Sequence, residues 1–79
     1  MPRYFFHICD SDGLTEDEEG RELPSLDAAR AEALRGARSL MASDIESGLL
    51  ALNSFIDVED ENGKPLFTLH FSQALEIKS

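Results

Sequence analysis

The sequence predicts a single small α+β domain over residues 1–79, in which a single long helix packs on one face of a three- to four-stranded antiparallel sheet, in the order β-(β)-α-β-β. Three observations favour this class. The chain opens on an aromatic segment, RYFFHIC, with the alternation of a strand. An alanine-rich stripe with helical spacing begins near residue 26, and an Asn-Gly turn signal lies inside the apolar segment 55–71.

Residues 3–9 are predicted as the first strand because aromatic and β-branched side chains dominate them. Alternation divides their side chains between two faces, with Tyr4, Phe6 and Ile8 on one and Phe5, His7 and Cys9 on the other. Asp12-Gly13 predicts a turn. Since the segment 14–23 contains Gly20 and few apolar residues, we expect at most a short, irregular second strand there.

The helix is predicted to begin after Ser25, a favourable N-cap, with Asp27 in the first turn, where a negative charge meets the helix dipole favourably. Its apolar stripe recurs at spacings of three and four and consists of Leu26, Ala29, Ala33, Ala37, Leu40 and Met41. Ser47-Gly48 predicts the end, with Gly48 in a left-handed cap. Because the stripe is mostly alanine, we expect the helix to approach the sheet closely.

The segment 55–71 is predicted as a hairpin whose type I′ turn is Asn62-Gly63. This turn pairs Glu61 with Lys64 and sets Pro65 opposite Asp60. The same register gives three further pairs, namely Val58–Phe67, Ile56–Leu69 and Phe55–His70. One predicted face is apolar, with Ile56, Val58, Phe67, Leu69 and Phe71; the other carries Phe55, Asp57, Glu59, Leu66, Thr68 and His70. A helical turn capped by Ser72 is predicted to bring Leu75 against the domain.

Composition excludes several functions. The net charge of −9 argues against nucleic-acid binding, because neutralisation of phosphates provides most of that affinity. No stretch has the roughly 18 apolar residues of a membrane span. Cys9 is the only cysteine, so no internal disulfide can form, and a small domain without disulfides favours a cytoplasmic location. We therefore expect a protein partner rather than nucleic acid or a membrane, and the negative charge favours a basic one.

Negative charge is concentrated in one stretch, since seven of the sixteen acidic residues lie between positions 10 and 22. The predicted partner-binding residues there are Glu16, Asp17, Glu18, Glu19 and Glu22. The alternative is a solvated loop without a binding role. A cation site formed by Asp10, Asp12 and Glu16 is a weaker alternative, because Gly13 comes too early for a calcium-binding loop of the EF-hand type.

The uncovered sheet face is the second candidate surface. Phe5, His7, Phe55 and His70 are predicted to point that way, and a face of this kind favours self-association into a homodimer. The roles of Cys9 and of the two histidines stay open. No nucleophile elbow, phosphate-binding loop or zincin motif occurs in the chain, so we expect no enzyme activity and no cofactor.

Three segments together resemble a family of short, uncharacterised bacterial proteins: RYFFHICDSDG, DEEGRELPSLDAARAEAL and VEDENGKPLFTLHF. The resemblance covers nearly the whole chain, and the DEEG-x-EL-P-S-L-D-A-A-R run is its most specific part. The family is a domain of unknown function, so the resemblance implies a fold but says nothing about activity. It also implies that Asp17, Glu18, Glu19, Gly20 and Glu22 belong to a motif, which is either a binding surface or a structural turn built on Gly20.

These observations lead to two functional hypotheses. The first is a small non-catalytic protein-interaction module that self-associates through the open sheet face and presents its acidic loop to a basic partner. The alternative is a domain that binds a cation or a small ligand with the acidic loop 10–19.

Overall fold

The structure is a computed structural model, and it describes residues 1–75. The elements are β1 (Arg3–Asp10), β2 (Gly13–Thr15), β3 (Arg21–Glu22), α1 (Leu26–Glu46), β4 (Phe55–Asp60) and β5 (Pro65–His70), followed by a 3₁₀ helix at Phe71–Ala74. The predicted α+β class is confirmed. The order is β-β-β-α-β-β, because the segment predicted as one irregular strand supplies two short ones.

The sheet is antiparallel throughout, in the order β2-β1-β4-β5, and β3 also pairs with β1. Alternation along β1 is as predicted on the helix side: Tyr4 is buried, and Phe6 and Ile8 pack against the core. The helix packs against the sheet mainly at β4. Within residues 1–75, no helix combines the length and the apolar character that crossing a membrane requires.

Helix α1 begins and ends where the sequence predicts. Ser25 Oγ accepts a hydrogen bond from the Ala28 N–H (3.1 Å) at the start. At the end, the N–H groups of Gly48 and Leu49 donate to the carbonyl groups of Ile45 and Asp44 (3.0 Å each), and Gly48 has a φ of +85°. This pair of bonds is a Schellman motif, which satisfies the last carbonyl groups of the helix.

The buried stripe of the helix is narrower than predicted. It consists of Ala29, Ala33, Ala37 and Met41, one residue every four. Leu26 and Leu40 were predicted in the same stripe, but they are 39% and 38% exposed. Leu26 lies three residues before Ala29, and Leu40 lies three residues after Ala37. Because members of the buried stripe are four residues apart, a residue at a spacing of three lies at the edge of the stripe rather than in its centre.

The predicted type I′ turn is wrong. Such a turn requires positive φ at both central residues, and only Gly63 has it here (φ +79°). Instead the Gly63 N–H donates to the Asp60 carbonyl and the Asp60 N–H donates to the Lys64 carbonyl (3.0 Å each), which closes a three-residue loop. The Asp60 side chain favours this form, because its Oδ1 accepts from the N–H groups of both Asn62 (2.8 Å) and Lys64 (2.9 Å).

The longer loop changes the pairing beside it. Pro65 pairs with Glu59 rather than with the predicted Asp60, and the register shifts between Val58 and Glu59. The extra residue on β5 is Leu66, which packs against the core rather than on the predicted outer face. Beyond this bulge the three predicted pairs, Val58–Phe67, Ile56–Leu69 and Phe55–His70, are confirmed.

The C-terminal turn begins earlier than predicted. It is a 3₁₀ helix that starts at Phe71 with His70 as its N-cap, rather than a turn capped by Ser72. The Phe71 N–H continues the hairpin ladder by donating to the Ser54 carbonyl (2.9 Å). Arg38 Nε donates to the Ala74 carbonyl (2.9 Å), which ties α1 to this turn. Leu75 packs against the core, as predicted.

Two glycines provide a matched stability test, because an added Cβ meets no atom within 4 Å at either Gly36 or Gly63. We expect Gly36→Ala to raise the free energy of unfolding by roughly 0.5–1 kcal/mol, since alanine favours a helix interior. Gly63→Ala lowers it by about 1–2 kcal/mol, because its φ of +79° is unfavourable for an L side chain. Urea unfolding followed by circular dichroism measures both. Shifts in the same direction would contradict the assigned backbone conformations.

Candidate functional site

The acidic segment, residues 16–20, lies beside β1 at a break in the sheet. Ile8 pairs with Thr15 on one side of this break, and Tyr4 pairs with Arg21 on the other. Three residues of β1 therefore lie opposite five residues of the acidic segment, so regular strand pairing is impossible there. Some other group has to satisfy the backbone of β1 across the gap.

Asp17 provides that group. Its Oδ2 accepts a hydrogen bond from the Phe6 N–H of β1 (3.1 Å), and its Oδ1 accepts one from the Gly20 N–H (3.1 Å). Hydrogen bonds to a charged carboxylate are stronger than those between two neutral groups. Asp17 is half-buried and is turned towards the sheet rather than displayed. The structure therefore makes it the residue that attaches the acidic segment to β1.

His7 joins the same network from the outer face of the sheet. The Asp17 N–H donates to His7 Nδ1 (3.1 Å), and His7 Nε2 lies 3.2 Å from Glu59 Oε1 on β4. A ring nitrogen that accepts a hydrogen bond carries no proton, so this network assigns the hydrogen to Nε2, which then donates to Glu59. The side chain of His7 is 17% exposed. The sequence left its role open; the structure shows it in contact with the acidic segment.

Gly20 and Arg3 fix the other end of the segment. Gly20 has a φ of +70°, and a Cβ there would lie 2.8 Å from Phe5 Cε2, so any other residue at this position would strain the backbone and displace the Phe5 ring. Arg3 Nη1 donates to the Glu19 carbonyl (2.8 Å), and Arg3 Nη2 pairs with Glu22 Oε1 (3.1 Å). The backbone of the acidic segment is therefore held at both Asp17 and Gly20.

The other predicted partner-binding residues are displayed. Glu16, Glu18 and Glu19 are exposed, and their carboxylates make no hydrogen bond or ion pair with any residue in the range 1–75. Glu22 is exposed as well, but its carboxylate pairs with Arg3. Five acidic residues that the sequence treats as one group thus divide into one structural carboxylate, one paired carboxylate and three that are available to another molecule.

A cleft of about 270 Å³ lies between the acidic segment and α1. Its apolar lining comes from both layers of the fold and consists of Phe6, Ile8, Ile56, Ala33, Gly36 and Leu40. Its polar lining consists of Asp17, Glu19, Arg21 and Glu32, with Gly20 between them. The cleft exists because α1 presents only small side chains at Ala33 and Gly36, so helix and sheet do not fill the space between them.

Glu32 is already engaged at this cleft. Its Oε1 accepts from Arg21 Nη1 (2.6 Å), and its Oε2 pairs with Arg35 three residues along the helix. Sequence analysis missed the contributions of Arg21, Glu32 and Gly36. A glycine inside a predicted helix is the one available signal, because it costs helix stability without an evident local reason. Arg21 and Glu32 carry no such signal, since their meeting depends on how β3 packs beside α1.

The weaker cation hypothesis finds no site in this geometry. Among residues 1–75, no three His, Cys, Asp or Glu side chains are gathered as metal ligands. Asp10 Oδ1 instead accepts a hydrogen bond from the Asp12 N–H (2.9 Å), which is a local turn contact.

The outer face of the sheet carries the four predicted self-association residues, which the pairing of β1, β4 and β5 places on one side. The rings of Phe55 and His70 contact each other with centroids 5.5 Å apart. Polar pairs share this face: His7 with Glu59, as above, and Thr68 Oγ1 with Asp57 Oδ1 (2.6 Å). Aromatic and acidic groups are therefore mixed on this surface.

Comparison with known proteins identifies a family and no activity. The model of a family described as Domain of unknown function (DUF6894) matches residues 3–72, which include every strand and the long helix. The resemblance to a family of short uncharacterised proteins is thereby confirmed. No curated protein and no solved structure matches the chain.

Asp17→Ala tests the attachment of the acidic segment. We expect this substitution to lower the free energy of unfolding by about 1–3 kcal/mol, because it removes the acceptor of the Phe6 and Gly20 N–H groups. Hydrogen exchange at the Phe6 amide should accelerate as well. Glu18→Ala is the matched control, with an effect within about 0.5 kcal/mol for an exposed side chain. Equal effects of the two variants would contradict the structural role of Asp17.

Proposed function

The chain belongs to the family that this model describes, and we propose that it is a small non-catalytic protein-interaction module that binds a basic partner through its acidic segment. The observation that carries the proposal is the contrast within residues 16–20. The Asp17 carboxylate holds the backbone. The carboxylates of Glu16, Glu18 and Glu19 make no hydrogen bond or ion pair within residues 1–75. A fixed backbone presents these three charges with little backbone conformational entropy left to lose on binding.

The overall charge supports a basic partner. Sixteen acidic residues against seven basic ones give the chain a net charge of −9. A field of this sign steers positively charged partners and raises their association rate, while it repels acidic ones. We place the interaction in the cytoplasm, where the single cysteine would stay reduced.

Self-association through the outer sheet face is a second candidate, and the contact between Phe55 and His70 favours it. Pairing at the edge of β5 is disfavoured instead, because Pro65 lacks an N–H, Leu66 forms a bulge, and Gln73 Oε1 accepts from the His70 N–H (2.9 Å). Face-to-face association brings together two chains of net charge −9, each with acidic groups on that face. Repulsion therefore ranks this candidate below the basic partner.

The basic-partner proposal is tested by affinity capture from native lysate with two charge-matched variants. Glu16→Gln/Glu18→Gln removes two displayed carboxylates of the acidic segment. Glu46→Gln/Glu61→Gln removes two exposed carboxylates elsewhere, at the end of α1 and in the β4–β5 loop. We expect the first variant to lose a partner that both the native chain and the second variant retain, because the partner reads charge at one place rather than net charge.

Both variants must show native circular dichroism, so that loss of capture reports binding rather than unfolding. Identical capture by all three proteins, or equal loss with both variants, contradicts a binding role of the acidic segment.

Self-association is tested separately by sedimentation equilibrium at low and high salt. If the outer face pairs, the dimer fraction should rise with salt, because screening weakens the repulsion between the two chains. Phe55→Ser/His70→Ser should abolish the dimer. A strict monomer at every salt and protein concentration removes this candidate.

A further inference from the structure

We propose that the cleft between α1 and the acidic segment receives one lysine side chain of the basic partner. The inference rests on the proposed function. It names the cleft as the place where the partner is recognised and a lysine as the partner residue that is recognised there. The volume of the cleft, about 270 Å³, is several times the roughly 30 Å³ that one water molecule occupies in the liquid. A long side chain therefore has room to enter.

The lining suits the stem of a lysine. Phe6, Ile8 and Ile56 provide apolar surface from the sheet, and Leu40 adds apolar surface from the helix while remaining 38% exposed. A lysine side chain has four methylene groups, which pack on apolar surface while the ammonium group reaches polar groups or water. An acidic side chain would instead bring a carboxylate next to Asp17 and Glu19, where like charges repel.

The charges at the cleft favour a cation, because three carboxylates, those of Asp17, Glu19 and Glu32, line it against one guanidinium group, that of Arg21. Both oxygens of Asp17 accept backbone N–H groups, and both oxygens of Glu32 are paired with arginines. Glu19 also lines the cleft, and its carboxylate has no partner among residues 1–75. This carboxylate can accept the ammonium group of a lysine whose four methylene groups lie on the apolar lining, whereas the stem of an arginine is one methylene group shorter and covers less of that lining.

Gly36 is the position at which helix α1 leaves space in the cleft. Gly36 lines the cleft, and a Cβ built there meets no atom within 4 Å. A larger side chain at this position therefore projects into free space and occupies the volume that the ligand needs. This gives a substitution that closes the cleft without disturbing the rest of the core.

The test is a titration of the full chain with two short peptides, followed by the amide resonances of Gly20, Ala33 and Gly36. The first peptide is an alanine peptide with one central lysine. The second carries norleucine instead, which keeps the apolar stem and lacks the charge. We expect the lysine peptide to shift these three resonances and to bind at least roughly threefold more tightly than the norleucine peptide, as a single exposed charge pair provides.

Four variants locate the site. Gly36→Leu should abolish the shifts at Gly20 and Ala33, and Gly36→Ala should reduce them, which keeps the test valid if the leucine variant folds poorly. Ala31→Leu adds the same bulk on an exposed helix position outside the cleft and should leave binding unchanged. Glu19→Gln should weaken the lysine peptide roughly threefold and leave the norleucine peptide unaffected.

The outcomes separate the cleft from the broader proposal. Equal binding of the two peptides, or shifts that survive Gly36→Leu in a folded protein, overturns the lysine site. So does a change in sedimentation caused by Gly36→Leu without peptide binding, which would assign the cleft to a second copy of the chain. If the peptides fail while capture still depends on Glu16 and Glu18, the inference about the cleft is wrong and the acidic segment remains the binding surface.

Discussion

The Asp17 carboxylate is the interaction on which this end of the molecule depends. β1 runs through the sheet with a complete partner strand on one side and an interrupted one on the other, and Asp17 bonds the Phe6 N–H inside that interruption. Without such an acceptor, a strand N–H group would lose its partner, which is costly in a half-buried position. One acidic side chain in a run of four is thus committed to structure, and this commitment holds its neighbours in fixed positions.

The small size of the helix side chains has two consequences. The alanine stripe lets α1 lie close to β4, which is how a chain of 79 residues forms a core with one helix and one sheet. The small side chains also leave a space near Gly36, where the helix, β1 and the acidic segment meet. A larger side chain at Gly36 would fill that space and favour the helix, so the fold retains a cleft at a cost in helix stability of about 1 kcal/mol.

Charge and packing therefore converge on one side of the fold. Glu19 of the acidic segment lines a cleft whose other lining includes apolar residues of the sheet and the helix, and Glu16 and Glu18 are exposed on the same segment. The outer sheet face has a different character, because its carboxylates on Asp57 and Glu59 are occupied by Thr68 and His7. A surface whose polar groups are already paired gains less from a partner than one whose carboxylates are free. The physical contrast between the two surfaces ranks the acidic segment first.

The sequence by itself determined the α+β class, the limits of α1 from Ser25 to Gly48, and the three outer pairs of the hairpin. These features follow from local periodicity, caps and cross-strand register, which act over a few residues. The loop at Asn62-Gly63 was predicted wrongly because the Asp60 side chain competes with the intrinsic preference of that dipeptide. Only the tertiary structure decided that Asp17 differs from Glu16, Glu18 and Glu19, and that Glu32 and Gly36 border the same cleft. Four consecutive acids look equivalent in a sequence. They become different because the pairing of β1 with β2 and β3 leaves a break that requires one acceptor at one place.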